Sequence, residues 1–291
     1  MIGGLVGYPG VAGRNLNVRV KFGLVMQVKK NKNAADPNIH RFALGLEYDG
    51  THYNGWQIQD NAPSIQASLN SAVSKVADEA IACIGAGRTD TGVHASGQVV
   101  HFDSHANRDP RSWLLGINSN LDEDVNVLWV KAVQPDFHAR YSATGRTYRY
   151  VILNQPVRSA LARARAWWIH RPLDSAAMSI ASTRLVGKHD FSSFRASGCQ
   201  SKTPVREMRR FDVRRAGDWI TVECEANAFL HHMVRNIVGS LVKIGRGDAR
   251  PEWIGNLLEE RDRRAAGITA PPMGLTLTHV AYPADFGIVA F

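Results

Sequence analysis

Cysteine is nearly missing from this 291-residue chain: Cys83, Cys199 and Cys224 are far apart and form no CxxC pair. That odd, scattered set excludes a disulfide framework and a structural zinc site of the usual spacing. It fits a reducing, cytoplasmic setting. Also lacking is any apolar run near the roughly 18 residues that a membrane span requires, so no membrane is expected among its partners. No sustained apolar stretch follows the basic start, which excludes a secretory signal. Lysine is scarce, 9 residues against 26 arginines. Between Phe137 and Leu173 there is no acidic residue at all, while seven arginines occur.

What is present is an ordinary globular composition, 44% hydrophobic and 21% charged, with length for one large or two modest domains. The net charge of +9 is unevenly spread: +5 over 1–40, −6 over 41–136, +12 over 137–215 and −2 over 216–291. A strongly basic block between acidic ones, built mostly from arginine, points to nucleic acid. The planar guanidinium suits both phosphate oxygens and base stacking.

Residues 1–40 are rich in Gly, Asn, Val and Lys, lack a period and end in the polar run 31–38. They are expected to form an extension, disordered or an overlong gene start with Met26 as initiator; a targeting peptide and an RNA-binding arm are the functional readings that an acid-poor tail leaves open. No function is assigned to them.

From Arg41 the patterning is regular. Alternation at Phe42, Leu44, Leu46 and Tyr48 predicts a strand ending at Asp49-Gly50-Thr51. Ile65, Leu69, Val73 and Val76 predict a helix capped by Ser64. A short strand is expected at 81–84, a glycine-rich loop over 85–97, a strand over 98–103, a helix over 110–117 and a strand over 125–133. The second half repeats the alternation: a strand over 146–153, a helix opened by Asp174, and a hairpin of 208–215 with 219–225. The apolar stripe from Leu230 to Val242 then predicts a helix, followed by a short one opened by Pro251-Glu252. Two similar halves of this kind imply an α+β protein.

Several constellations carry chemistry. The loop Gly85–His94 contains Asp90 beside Arg88 and has neither a phosphate-loop nor a dinucleotide spacing. It suits a catalytic carboxylate held ionised by Arg88 or another cation, although on the loop alone a surface Asp–Arg turn is the commoner outcome. His101, Asp103 and His105 alternate, which on a strand would point all three one way, a donor set for a metal hydrolase. His231 and His232 would diverge by about 100° on a helix and are expected to be separate helix-face contacts, not a shared metal site. Arg235 lies outside the apolar stripe, one turn after His231, placed to meet a carboxylate, a phosphate or solvent. Tyr148 lies in Arg146-Thr147-Tyr148-Arg149-Tyr150, aromatic and basic residues in alternation. That alternation suits RNA, with rings stacking on bases and guanidinium groups on phosphates. A purely structural role stays open for Tyr150.

Together these segments resemble the TruA family of tRNA pseudouridine synthases. The matching stretches are Glu47–Thr51 with Tyr53, Gly55, Trp56 and Gln57, then Gly87–His94, Phe137–Ala143 and Arg146–Tyr150. Asp190–Arg195, Ala228–Asn236, Pro271-Pro272 and Gly274-Leu275 continue the series. The resemblance runs from 41 to about 283. It implies a pseudouridine synthase fold of two ferredoxin/RRM-like α+β halves, 41–138 and 139–285, with antiparallel sheets around a central cleft.

The implied reaction converts uridine to pseudouridine at positions 38, 39 and 40 of the tRNA anticodon stem-loop, without cofactor or metal. The C1′–N1 bond breaks, the freed uracil turns, and it rejoins through C5. Asp90 matches the catalytic aspartate, acting through a sugar ester or a glycal route. Arg235 matches its salt-bridge partner, Arg88 the arginine that helps draw out the nucleotide, and Tyr148 the residue that stacks on the target base. Thr91 departs from the expected alanine beside the aspartate. The resemblance further implies a homodimer with one tRNA spanning both subunits. A binding-only RNA module is the second reading, disfavoured because it has no use for a nucleophile.

Overall fold

The computed structural model describes residues 38–288, so the extension read over 1–40 lies almost wholly outside the described residues. Chain order begins with β1 (His40–Tyr48), α1 (Ile65–Ala77), β2 (Ile84–Gly85), β3 (His94–Ser104), α2 (Pro110–Asn118) and β4 (Val125–Ala132). There follow β5 (Gly145–Asn154), β6 (Trp167–Ile169), α3 (Ser175–Ser182), β7 (Gly187–Asp190), β8 (Val205–Ala216) and β9 (Trp219–Ala226). The chain closes with α4 (Met233–Gly245), α5 (Trp253–Glu260) and β10 (Leu275–Ala281). This is the expected α+β class, a large and mostly antiparallel sheet with helices.

The local chemistry of several elements follows the sequence closely. Ser64 caps α1, its side chain accepting from the Ala67 N–H, and Ile65, Leu69, Ala72 and Val73 are buried. Asp174 caps α3 in the same way through the Ala177 N–H. Pro110 occupies the first turn of α2, where a missing N–H costs no helical bond. The β8–β9 hairpin turns where Ala216 pairs with Trp219, with Gly217 at φ +58°, a conformation tight hairpin turns demand.

Other elements differ from expectation for identifiable reasons. No strand forms over 81–83. The Ile81 and Cys83 N–H groups donate instead to Ser74 and Asn70, and the Cys83 carbonyl accepts from Gln66, all side chains of α1. β3 starts at His94, four residues early, because its polar beginning pairs with both Tyr48 of β1 and Thr276 of β10. β10 itself was not anticipated, although Leu275, Leu277 and Val280 are buried along it.

β10 is the key to the architecture. The strand order is β4-β1-β3-β10-β5-β9-β8-β7, with β2 on β3 and β6 on β5. Residues 275–281 thus return from the end of the chain to lie between β3, which they meet in parallel, and β5, which they meet antiparallel. On the β3 side, Phe42, Phe102 and Trp113 form an aromatic cluster with centroids 5.1–5.5 Å apart. On the β5 side, Ile152, Val222, Ile237, Leu241 and Phe194 are fully buried. The loop before β3 and the approach to α4 both open onto this junction.

Candidate active site

The loop carrying Asp90 is held by its backbone. The Trp56 N–H donates to the Thr89 carbonyl (3.0 Å), the Gly92 N–H to the Tyr53 carbonyl (3.3 Å) and the Val93 N–H to the Asp90 carbonyl (3.1 Å). Tyr48 and Thr89 hydroxyls lie 2.8 Å apart, and Gln98 donates to the Gly87 carbonyl at 2.8 Å. Gly55 adopts φ +89°, and a Cβ there would stand 2.5 Å from the Thr89 carbonyl oxygen. Only glycine lets the 53–56 segment approach so closely. His94, which ends the motif, is structural: its Nδ1 accepts from the Gly50 N–H and Nε2 faces the Ala164 carbonyl at 2.8 Å.

The loop presents Asp90 to the start of α4. Arg235 Nη1 donates to Asp90 Oδ2 at 3.1 Å. Its Nε donates to the Ala270 carbonyl at 2.8 Å, while the Ala270 N–H returns a bond to the Arg235 carbonyl. The guanidinium is therefore oriented by the segment leading to Pro271-Pro272 before it meets the carboxylate. The cation paired with Asp90 is Arg235, not its neighbour Arg88.

Sequence reasoning missed the two histidines. His231 Nε2 lies 3.5 Å from Asp90 Oδ1 and His232 Nε2 lies 3.4 Å from Oδ2, their rings 4.0 Å apart between centroids. The expected divergence presumed a helix from Leu230, but α4 begins at Met233 and His232 sits at φ +59°. This left-handed residue turns both rings to one side. The loop 196–199 fixes the segment: the Ala196 N–H donates to the His231 carbonyl (3.0 Å), and Cys199 Sγ accepts from the His231 N–H (3.4 Å). Burial drives the His232 pKa below its ordinary value against the pull of Asp90, with the charges of His231, Arg235 and Arg263 acting the same way as burial. No helical periodicity could have signalled this; only the unusual His-His pair hinted at it.

Asp90, Arg88, Tyr148, Arg235 and both histidines line one cleft of about 1060 Å³. Tyr148 forms part of its wall, with its ring edge-on to Phe229 at 5.0 Å. Burial, with the nearby Tyr48 and the Asp90 charge, raises its phenol pKa well above the ordinary value. Tyr150, two residues on, is a core residue whose hydroxyl donates to the Pro271 carbonyl at 2.7 Å. Arg88 stands exposed at the rim, donating to Gln200 at 3.3 Å.

The arginine belt divides into two populations. Arg146 is not a free phosphate ligand: its guanidinium donates to the carbonyls of Ala86, Arg140, Ala143 and Asn227. It ties the base of the Asp90 loop to the 140–143 turn and the end of β9. Arg149 and Arg210 pair with Glu223, Arg209 with Glu225 and Arg165 with Asp49. Three acids from outside the block, Glu223, Glu225 and Asp49, thus hold four of its arginines.

The alternative histidine cluster does not assemble. His101 is buried, and its Nδ1 accepts from the Ala139 N–H. Burial, with the charges of His138 and Arg41, lowers its pKa to about 4. Asp103 is engaged bidentately by Arg41, and His105, beyond the end of β3, meets Glu79 at 2.9 Å. Among the described residues, the group whose ligand atoms converge is Asp90, His231 and His232.

An α+β fold with an Asp–Arg pair in a large cleft fits an enzyme, and similarity to known proteins gives the class, one that modifies tRNA. The tRNA pseudouridine synthase family model matches residues 46–142 and 181–283. The tRNA pseudouridine synthase A of Methylococcus capsulatus is 53% identical over 248 residues, covering 85% of this chain and 92% of that protein. The namesake of Pseudoalteromonas atlantica is 52% identical over 85% of this chain and 94% of its own length. That of Coxiella burnetii is 48% identical, covering 84% and 94%. The chain belongs to the tRNA pseudouridine synthase family. No helix among the described residues is long and apolar enough to cross a membrane.

Proposed function

We propose that this protein isomerises uridine to pseudouridine at positions 38, 39 and 40 in the anticodon stem-loop of tRNA. The observation that carries the reading is the Asp90–Arg235 pair, 3.1 Å apart, at the base of a cleft walled by Tyr148 and rimmed by Arg88. Asp90 acts as nucleophile at the sugar, or as the base that removes and returns a proton. A carboxylate in that role must carry its charge in a site largely closed to water, and the guanidinium is its counter-ion.

Tyr148 offers a flat wall for the target uracil. Its phenol is protonated at neutral pH, and burial raises the pKa further. Arg88 reaches from the rim toward the backbone of the strand from which the nucleotide is drawn, a step costing a few kcal/mol. The halves 41–138 and 139–285 grip the RNA from either side, and two copies of the chain, in the cytoplasm, share one tRNA. The reaction the resemblance implies calls for no cofactor.

Isomerisation must release the hydrogen at C5. tRNA labelled there with tritium is expected to lose label to water, and Asp90→Asn is expected to abolish the release while leaving tRNA affinity largely intact. Bound tRNA that releases no label from the wild-type protein would leave only the binding-module reading. Normal turnover by Asp90→Asn would remove Asp90 from its role.

A further inference from the structure

The convergence of two imidazoles on one carboxylate has a consequence that pseudouridine formation does not use. Metal–ligand bonds of about 2.0–2.1 Å in a tetrahedral zinc site place neighbouring ligand atoms about 3.3–3.5 Å apart. His231 Nε2 to Asp90 Oδ1 is 3.5 Å and His232 Nε2 to Asp90 Oδ2 is 3.4 Å, so each imidazole stands at about that spacing from its own oxygen of the carboxylate, and closing on one shared ion takes a small rotation of the side chains. All three residues offer ligand atoms within 4.8 Å of one another. Imidazole nitrogens and a carboxylate are donors that zinc and its first-row neighbours take, and all three residues line the cleft. The backbone that carries the three is fixed: the His231 N–H and carbonyl are held by Cys199 and Ala196, His232 sits in a left-handed turn, and the Asp90 loop is held by its own backbone bonds.

We propose that Asp90, His231 and His232 form a binding site for one divalent transition ion, zinc(II) or cobalt(II). Bound there, the ion takes the carboxylate from Arg235 and blocks the cleft. The ion is an inhibitor and no part of isomerisation. Arg235 is the competing cation, since its guanidinium already holds Asp90 Oδ2. Removing a ligand must weaken the ion, whereas removing Arg235 must strengthen it. The two signs are opposite, which separates this site from adventitious binding by surface histidines.

The test is a titration of untagged full-length protein with cobalt(II), followed by the visible absorption of four-coordinate cobalt, and then displacement by zinc(II). One equivalent with a tetrahedral spectrum is expected. His231→Ala and His232→Ala should each weaken binding by tenfold or more. Arg235→Gln should tighten it by about tenfold, since a cation beside the ion is gone. Cys199→Ser should leave the spectrum unchanged, which excludes a thiolate ligand. A wild-type protein with no such spectrum, or histidine variants that keep it, would overturn the site. So would an Arg235→Gln variant that binds more weakly while retaining wild-type unfolding.

Inhibition rests on the proposed role of Asp90 and is read separately as tritium release, restored by a chelator. Cobalt that binds as described but leaves release untouched supports the metal site and removes Asp90 from the reaction. Release that proceeds in a protein showing no cobalt spectrum overturns the metal site alone.

Discussion

Replacing Arg235 with alanine removes two bonds at once, the 3.1 Å contact to Asp90 and the 2.8 Å contact to the Ala270 carbonyl. Only 12% of the Arg235 side chain and 23% of that of Asp90 is exposed, so water offers limited compensation. With an effective dielectric of about 20, opposite charges about 4 Å apart attract by about 4 kcal/mol. Stripping one partner from a buried pair costs about 3–5 kcal/mol. If about 3–4 kcal/mol of this falls on the reacting carboxylate, tritium release slows about 10²- to 10³-fold at 1.36 kcal/mol per decade.

Arg235→Lys keeps the charge but cannot span both acceptors with a planar fork, and is expected to fall about tenfold short of the wild type. The assay is single-turnover release of C5 tritium. Urea unfolding and tRNA binding are measured on the same variants, so that folding and affinity are separated from chemistry. An Arg235→Ala protein that folds, binds tRNA and releases label within threefold of the wild-type rate would refute the assignment of Arg235 as the charge partner.

Two other perturbations probe the scaffold. Gly55→Ala forces a Cβ to 2.5 Å from the Thr89 carbonyl at φ +89°. The left-handed backbone and the overpacking together should cost about 2–4 kcal/mol, read as a lower urea midpoint accompanied by slowed turnover. An unchanged midpoint would mean that the 53–56 segment does not brace the Asp90 loop. His101 has a folded-state pKa of about 4, below its unfolded value of about 6.5. The unfolded chain therefore binds the proton first, and the stability contributed by neutral His101 is complete above pH 6.5. It is lost as pH falls from 6.5 toward 4, by at most about 3 kcal/mol. His101→Asn should flatten the urea midpoint over that range relative to the wild type, and an identical pH dependence in both proteins would contradict the reading.

The sequence made legible whatever depends on neighbours along the chain. The caps at Ser64 and Asp174 and the turn at Gly217 are short-range chemistry and are in place, and β1 and β5 form as strands, although β1 is buried on both faces from Phe42 to Leu46 rather than alternately. Asp90, Arg88, Tyr148 and Arg235 were singled out because their motifs are distinctive, and they share a cleft. Less legible was any segment whose partners lie far away. The backbone of 81–83 is claimed by side chains of α1, a competition no strand propensity expresses. β10 has its partners in β3 and β5, far back along the chain, and local pattern does not announce a strand that is inserted between two others. The arginine belt misled in a different way, since a count of charges does not reveal that Arg146 is spent on four carbonyls and Arg210 on Glu223.

By itself, then, the sequence determined the α+β class, the scarcity of cysteine that excludes a disulfide framework, and the residue types able to carry the chemistry. Those follow from composition, periodicity and local capping, which act over a few residues. Only the tertiary structure decided which of those residues meet. Asp90 and Arg235 are 145 positions apart, and their contact exists because residues 275–281 are inserted between β3 and β5. A single left-handed residue, His232, then turns two histidines onto the same carboxylate. A backbone conformation of that kind is imposed by the contacts around it, so it is fixed by the fold rather than by the residues beside it.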